Sequence, residues 1–387
     1  MCFLMILPVV QCYLFCTCIG RDPQGLKLGV VNEELKTGMS SCSNYPSSGC
    51  NFSVPLSCRY LQNLKDKSYN LVEYNTLDEA KFAVTKNRVW GILYFEEGYS
   101  ESLGARIQMP ENLTDRMLNI SDVNIWQDMS NQYVSNLLRR DMFSRYVLFL
   151  QSLFRDCRWP VALADIPIKM ENAIYGNNNP SFGHFTAPAI ISLFEFYLPM
   201  VFTVGAILME KMGGLLERSL VAGVTVTEVL LSHIVVQYIV LSVQTGLMML
   251  VLFVFFDNPM VGSLVWSLSL LFLTGTSGMC YGFMVAVFCN TDTSATFMGL
   301  GSFFPLAMLS GMIWPLEGMH WILRSIGWIL PITLSTESFR ALSARDWSIT
   351  HPTVYKGFLS ASGWIGVFML VTIIVVKKNN GLRNVTK

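Results

Sequence analysis

Charge is what this chain has least of. Asp, Glu, Lys and Arg make up 14% of its 387 residues, against roughly 25% in soluble domains. The 27 basic residues balance the 27 acidic ones, and a neutral chain lacks the field that draws a polyanion, so no nucleic-acid partner is expected. No G-x-x-x-x-G-K-[ST] run occurs, and Gly213-Gly214 is not followed by Lys-Ser/Thr, so the sequence carries no phosphate loop. The four histidines (His184, His233, His320 and His351) are scattered, and the ten cysteines form no Cys-x-x-Cys pair, so no metal site is expected. No Lys or Arg precedes the first apolar run, Cys2 to Ile19, which therefore lacks the basic flank of a cleaved signal peptide. A signal peptide stays open as the alternative; the preferred reading is a first transmembrane helix whose upstream flank lies outside this chain.

What is present is apolar length. Hydrophobic residues make up 52% of the chain, and between residues 187 and 376 they form runs of about 20, enough to cross a bilayer core. The candidate spans are Ala187–Leu208, Val229–Phe256, Gly262–Cys289, Ser294–Ile313 and Phe358–Val376, which with residues 1–20 make six. The expected fold is integral membrane α-helical: six transmembrane helices, with an α/β extracellular domain over residues 21–186 inserted after the first. Lys377, Lys378, Arg383 and Lys387 put the tail, residues 377–387, in the cytosol by the positive-inside rule. Six crossings then return the first helix's start to the cytosol, and Trp314, Trp321 and Trp328 fall near the outer interface, where indoles prefer to sit.

Residues 21–186 fit that outside placement. They hold three sequons, at Asn51, Asn112 and Asn119, each weak alone. They also hold Cys42, Cys50, Cys58 and Cys157, an even set that suggests two disulfides; three pairings are open, with Cys42 to Cys58 the favoured local staple. Leu26–Val31 and Val89–Phe95 read as strands around a helix at Thr76–Lys86, a strand–helix–strand unit. Trp126–Phe154 reads as an amphipathic helix with Arg139, Arg140 and Asp141 on its polar side. No catalytic constellation appears.

Within the spans, Glu195 is a carboxyl where an unpaired charge costs a few kcal/mol. His233, Gln237 and Gln244 repeat at helical spacing as one polar stripe. They are candidates for a translocation path or dimer seam; interhelical hydrogen bonding, at about 0.6 kcal/mol per bond, accounts for them slightly better. Gly299, Gly301, Ser302 and Pro305 permit close approach and a kink in the fifth span. Residues 314–347 are too polar to span and too apolar for a plain loop, and read as re-entrant or interfacial helices on the outer side. Residues 209–228 join two spans with alternating charged and apolar residues, which suits a helix lying on the membrane surface; an ordinary solvated loop carries similar weight.

The run "EKMGGLLERSLVAGVT" in that segment resembles the cytosolic stretch after the second helix in type-2 ATP-binding-cassette exporter membrane domains. Similar stretches are "FCTCIGRDPQGLKLGVVNEE", "NAIYGNNNPSFGHFTAPAII", "NTDTSATFMGLGSFFPLAMLSGMIWPLEGMHWILRSIGWILPIT" and "ESFRALSARDW", an ordered series from residue 2 to the tail. The nearest likeness is to arthropod G- and H-like subfamilies with a large extracellular domain after the first helix. The resemblance implies a homo- or heterodimeric plasma-membrane exporter of lipids or other amphipathic molecules. It implies Glu210, Glu217 and Arg218 in the coupling segment, and the outer segment as an exit lid. ATP and Mg would be bound by a nucleotide-binding domain usually placed ahead of the first helix. The chain departs from the pattern in lacking that domain, which reads as a fragment or as a subunit of a separate ATPase. A multi-pass receptor or adhesion protein whose extracellular domain binds a ligand is the competing class.

Overall fold

Backbone groups in hydrocarbon must be satisfied within the chain, so the apolar runs are expected to wind into helices while the polar insert is free to form a sheet. A computed structural model describes the protein except residues 1, 20–21, 36–37, 47, 66–68, 169–170, 177–181 and 379–387. The side chains at 2–5, 216–217, 220, 226–227 and 230 also lie outside the described residues. The chain divides into two compact units: residues 22–171, and residues 1–21 with 172–387. The second unit opens with helix α1 (Cys2–Cys18).

The unit of residues 22–171 is a mixed four-stranded sheet covered on both faces. Its strands are β1 (Lys27–Asn32), β2 (Asn70–Glu73), β3 (Gly91–Phe95) and β4 (Asn124–Gln127), in the order β2-β1-β3-β4. β1 pairs parallel with β2 and β3, and β4 closes the far edge antiparallel to β3. Parallel neighbours require crossover helices; α2 (Leu56–Lys65) and α3 (Leu77–Thr85) supply them. Side chains alternate across a strand. Leu28, Val30, Leu93 and Phe95 therefore pack under α2, α4 (Tyr99–Gln108) and α6 (Gln132–Asp156), while Val31 and Ile92 pack on α3. A short α5 (Asp115–Ile120) precedes β4.

The strand–helix–strand expectation is met at β1, α3 and β3. The single helix expected over Trp126–Phe154 is not. Trp126 lies in β4 opposite Ile92, and α6 starts only at Gln132, where the Asn131 side chain accepts from the Tyr133 and Val134 amides at 3.1 and 3.2 Å. Local polar side chains stop a helix extending through such a point and start a new one. Asp141 is also not on a polar face. It is buried and accepts from the Tyr69 hydroxyl at 2.6 Å. Burial first, and then that carboxylate, push the Tyr69 phenol above its ordinary range.

Two disulfides staple this unit, Cys42–Cys58 and Cys50–Cys157. Beside the second, Asp156 accepts from the Gly49 amide at 2.8 Å and from Arg59 at 2.7 Å. Those contacts, the amide foremost, hold its carboxyl below the usual carboxylate range.

Among the described residues of the membrane unit, four helices are long and apolar enough to cross a bilayer: α7 (Phe182–Met212), the stretch Leu231–Phe255, Leu264–Phe288 and Pro352–Lys378. Between α7 and the next span lies α8 (Leu215–Val221). The second span is α9 (Val226–Leu250), ended by a π-helical turn at Val251–Phe255. The third is α10 (Leu264–Phe288). Then come α11 (Asp292–Leu309), α12 (Trp321–Ile329), α13 (Thr333–Arg345) and α14 (Pro352–Lys378). The protein is thus an integral-membrane α-helical protein with a mixed-sheet subdomain. The six-span expectation also counts α1, which is apolar but shorter than the other four, and α11, an 18-residue helix that is not among them.

α7 packs most extensively on α10. Gly275, Gly278 and Gly282 line one side of α10, and a Cβ at 278 or 282 would meet the backbone of Phe196 or Met200 on α7. Of the glycines expected to permit close approach in α11, a Cβ on Gly299 would meet only the Met200 side chain, at 3.4 Å, and one on Gly301 would meet nothing within 4 Å.

Candidate functional site

The segment joining α7 to α9 is built by its backbone. Gly214 takes a left-handed φ of +64°, which ends α7 and frees the chain to start α8. Thr225 then starts α9 with a capping box: its hydroxyl accepts from the Glu228 amide at 3.3 Å, and the Glu228 carboxylate accepts from the Thr225 amide at 2.8 Å. The Thr-x-x-Glu spelling at 225–228 is a legible sequence signal for this start. The amide contact holds the Glu228 carboxyl below its ordinary value.

Within this hairpin Glu210 and His233 come together, two residues assigned from the sequence to different roles. Glu210 Oε2 lies 3.1 Å from His233 Nε2, without the alignment of a hydrogen bond. Lys211 beside it donates to the Cys289 carbonyl at 3.3 Å and to Asn290 Oδ1 at 3.0 Å, tying the end of α7 to the end of α10. Arg218 is exposed on α8. The side chain of Glu217 lies outside the described residues.

Deeper in the unit sits a second polar group. Glu195 is 1% exposed, and its two carboxyl oxygens make no hydrogen bond among the described residues. Thr245 of α9 is also buried, but its hydroxyl donates to the Leu241 carbonyl at 2.8 Å. Gln237 and Gln244 are buried on the same helix. The polar stripe therefore faces protein rather than the outer surface of the unit.

At the other side of the membrane unit Arg340 of α13 gathers three segments. It donates to the Phe185 carbonyl at 3.1 Å, to the Gly311 carbonyl at 2.8 Å and to Glu337 at 2.6 Å, and its guanidinium lies 3.9 Å from the Phe185 ring centroid. Sequence reasoning noted Arg340 only as one polar residue among several. α12 leaves Trp321, Leu323, Ile326 and Ile329 exposed. In the soluble unit Asn51, Asn112 and Asn119 are all exposed.

Residues 1–376 match the family described as ABC-2 family transporter protein. The chain belongs to that family. Among relatives of this ABC-2 transporter chain, the ABC transporter G family member 20 of Dictyostelium discoideum is 24% identical over 384 residues, covering 98% of this chain and 48% of the relative. ABC transporter G family member 23 of the same organism is 24% identical over 372 residues, covering 96% and 49%. A probable multidrug ABC transporter permease, YbhR, of Escherichia coli K12 is 26% identical over 174 residues, covering 45% and 47%. The relation is to G-family transporters, with no restriction to arthropods. The chain spans about half the length of the curated relatives it matches. The sequence has no phosphate loop, and the described residues hold no cluster of three metal-ligating side chains.

One prediction arises at Glu195. A buried polar group without partners costs about 1–3 kcal/mol, so Glu195→Leu is expected to stabilise the purified ABC-2 transporter by that order in a thermal-unfolding assay in detergent. A lower melting temperature would mean that the carboxyl is satisfied in the native protein.

Proposed function

We propose that this chain is the membrane-spanning permease part of an ATP-driven exporter that moves lipids or other amphipathic molecules outward across the plasma membrane. It works with a nucleotide-binding domain or subunit and with a second membrane half, identical or related. In this reading α1 and α11 complete six spans, residues 21–186 are extracellular and carry glycans on Asn51, Asn112 and Asn119, and both termini are cytosolic. The arthropod G/H-like likeness belongs to the same reading.

The observation that carries it is the α7–α8–α9 hairpin. Two long spans are joined by a seven-residue helix, with Arg218 exposed on it and the Glu210–His233 contact at its base. A short charged helix rigidly attached to two spans is suited to receive motion from a cytosolic ATPase and pass it on as a rigid body. Glu210, Glu217 and Arg218 then act in coupling. Glu195, His233, Gln237 and Gln244 border the path, Glu195 and His233 being ionisable groups of the kind that mark substrate routes inside a membrane.

The test is ATP-dependent export of a fluorescent phospholipid from proteoliposomes holding the transporter with its ATPase. Arg218→Glu is expected to leave ATP hydrolysis within about twofold and to cut export at least tenfold. Export and hydrolysis falling together, or neither changing, removes Arg218 from coupling. No ATP-dependent export of any amphiphile by the unaltered protein would favour a receptor or adhesion role instead.

A further inference from the structure

The soluble unit contains a cleft of about 780 Å³ that transport, as read above, does not use. It lies among α4, α6, β4 and the turn Val161–Ala164. Its size falls within the roughly 300–1,000 Å³ of clefts that enclose small organic ligands. The lining is largely apolar: Ile107, Met142, Leu150 and Phe154 line it, together with Phe143 and Leu163, which remain 55% and 71% exposed. Large side chains left that open are the informative kind of exposure, because they lie together in a concavity rather than singly.

The charges in the cleft do not cancel. Arg106 pairs with Asp122 at 2.6 Å and donates to Ser121 at 3.0 Å, which makes that couple neutral. Arg139 lines the same cleft and makes no hydrogen bond or ion pair among the described residues. It stands one helical turn before Phe143 on α6, so the two share a face. A guanidinium fork with no partner, next to unfilled apolar surface, matches a ligand with one oxyanion and one hydrocarbon part. The fork binds carboxylate or phosphate oxygens in pairs, and each methylene removed from water adds about 0.8 kcal/mol.

We propose that this cleft binds a single-chain amphiphile with an anionic headgroup, the headgroup on Arg139 and the chain along the apolar face of α6. The site needs neither ATP nor passage through the membrane, so it stands or falls apart from the transport reading. Carboxylate and phosphate headgroups share this chemistry.

The test uses the full chain in nanodiscs of neutral lipid, without ATP. It is labelled with photoreactive sixteen-carbon probes ending in carboxylate, phosphate or alcohol, and the labelled peptides are mapped. The anionic probes are expected to label residues 103–164 saturably and the alcohol at least tenfold less. Arg139→Glu is expected to lower anionic labelling at least tenfold, while Arg116→Glu, an exposed arginine outside the cleft, leaves it unchanged. Stronger labelling by the carboxylate identifies a fatty-acid-like ligand, and stronger labelling by the phosphate a lysophospholipid-like one; either supports the site. Equal labelling by the alcohol, labelling away from the cleft, or no response to Arg139→Glu overturns it. Because Arg139 is exposed, its replacement leaves the core of the unit in place.

Discussion

Replacing Cys50 and Cys157 together with alanine is expected to destabilise the soluble unit by about 4–5 kcal/mol, the largest effect of any change confined to that unit. The bond closes a loop of 107 residues, against 16 for Cys42–Cys58. A cross-link acts mainly by removing conformations from the unfolded chain, and the number removed grows with the loop, so the shorter bond is worth about 3 kcal/mol on the same scale. The longer bond also anchors the end of α6 beside the Asp156–Gly49 and Asp156–Arg59 contacts. Without it, those contacts must hold the 49–59 stretch on α6 unaided. Pulse proteolysis of the full chain in urea, with cleavage read inside residues 22–171, measures both double variants. If Cys42→Ala with Cys58→Ala costs as much or more, loop closure is not what stabilises this unit.

Gly278→Ala is expected to have the largest effect in the membrane unit. A Cβ at 278 would fall on the carbonyl oxygen of Phe196, and one at 282 would lie 2.8 Å from the carbonyl oxygen of Met200. Neither is the flexible end of a side chain; both are backbone of α7, so the helices themselves have to move apart. Overpacking a core costs about 1–3 kcal/mol even where side chains can yield. In lipid, helix pairs are held by close contact and not by exclusion from water, so separation forfeits the contacts along the whole α7–α10 face. The yield of monodisperse protein in detergent is expected to fall severalfold for Gly278→Ala and further for Gly278→Val. Gly301→Ala, with no atom within 4 Å of the added carbon, is the matched control and should behave as the unaltered protein. Equal yields for the 278 and 301 variants would mean that α7 and α10 do not meet at these glycines.

Several elements were legible in the sequence because their signal is local. The strand readings at Leu26–Val31 and Val89–Phe95 found β1 and β3, the helix reading at Thr76–Lys86 found α3, and apolar length placed α7, α9, α10 and α14. Where the reading failed, the deciding partner was distant. The apolar residues around Trp126 read as helix, yet their partner is Ile92 on β3. Asp141 read as polar surface, and its partner Tyr69 lies 72 residues away. The glycine face on α10 was passed over for that of α11, since composition does not say which glycines have another helix's backbone against them.

The candidate site divides the same way. Glu195, Glu210 and His233 stood out in the sequence as polar residues in or beside apolar runs, but the Glu210–His233 contact and the burial of Glu195 depend on how α7 packs on its neighbours. The cleft in the unit of residues 22–171 had no sequence signal, because its lining comes from α2, α4, β4, α6 and the 161–164 turn at once.

By itself, then, the sequence determined the solvent of each region: charge-poor runs of about 20 residues must be helices in lipid, and a polar insert with sequons and paired cysteines must fold in water. Only the tertiary structure decided which cysteines join, which glycines admit a neighbouring helix, and which arginines line the cleft. Those are contacts between residues far apart in the chain, and no local pattern specifies a contact whose other half lies elsewhere.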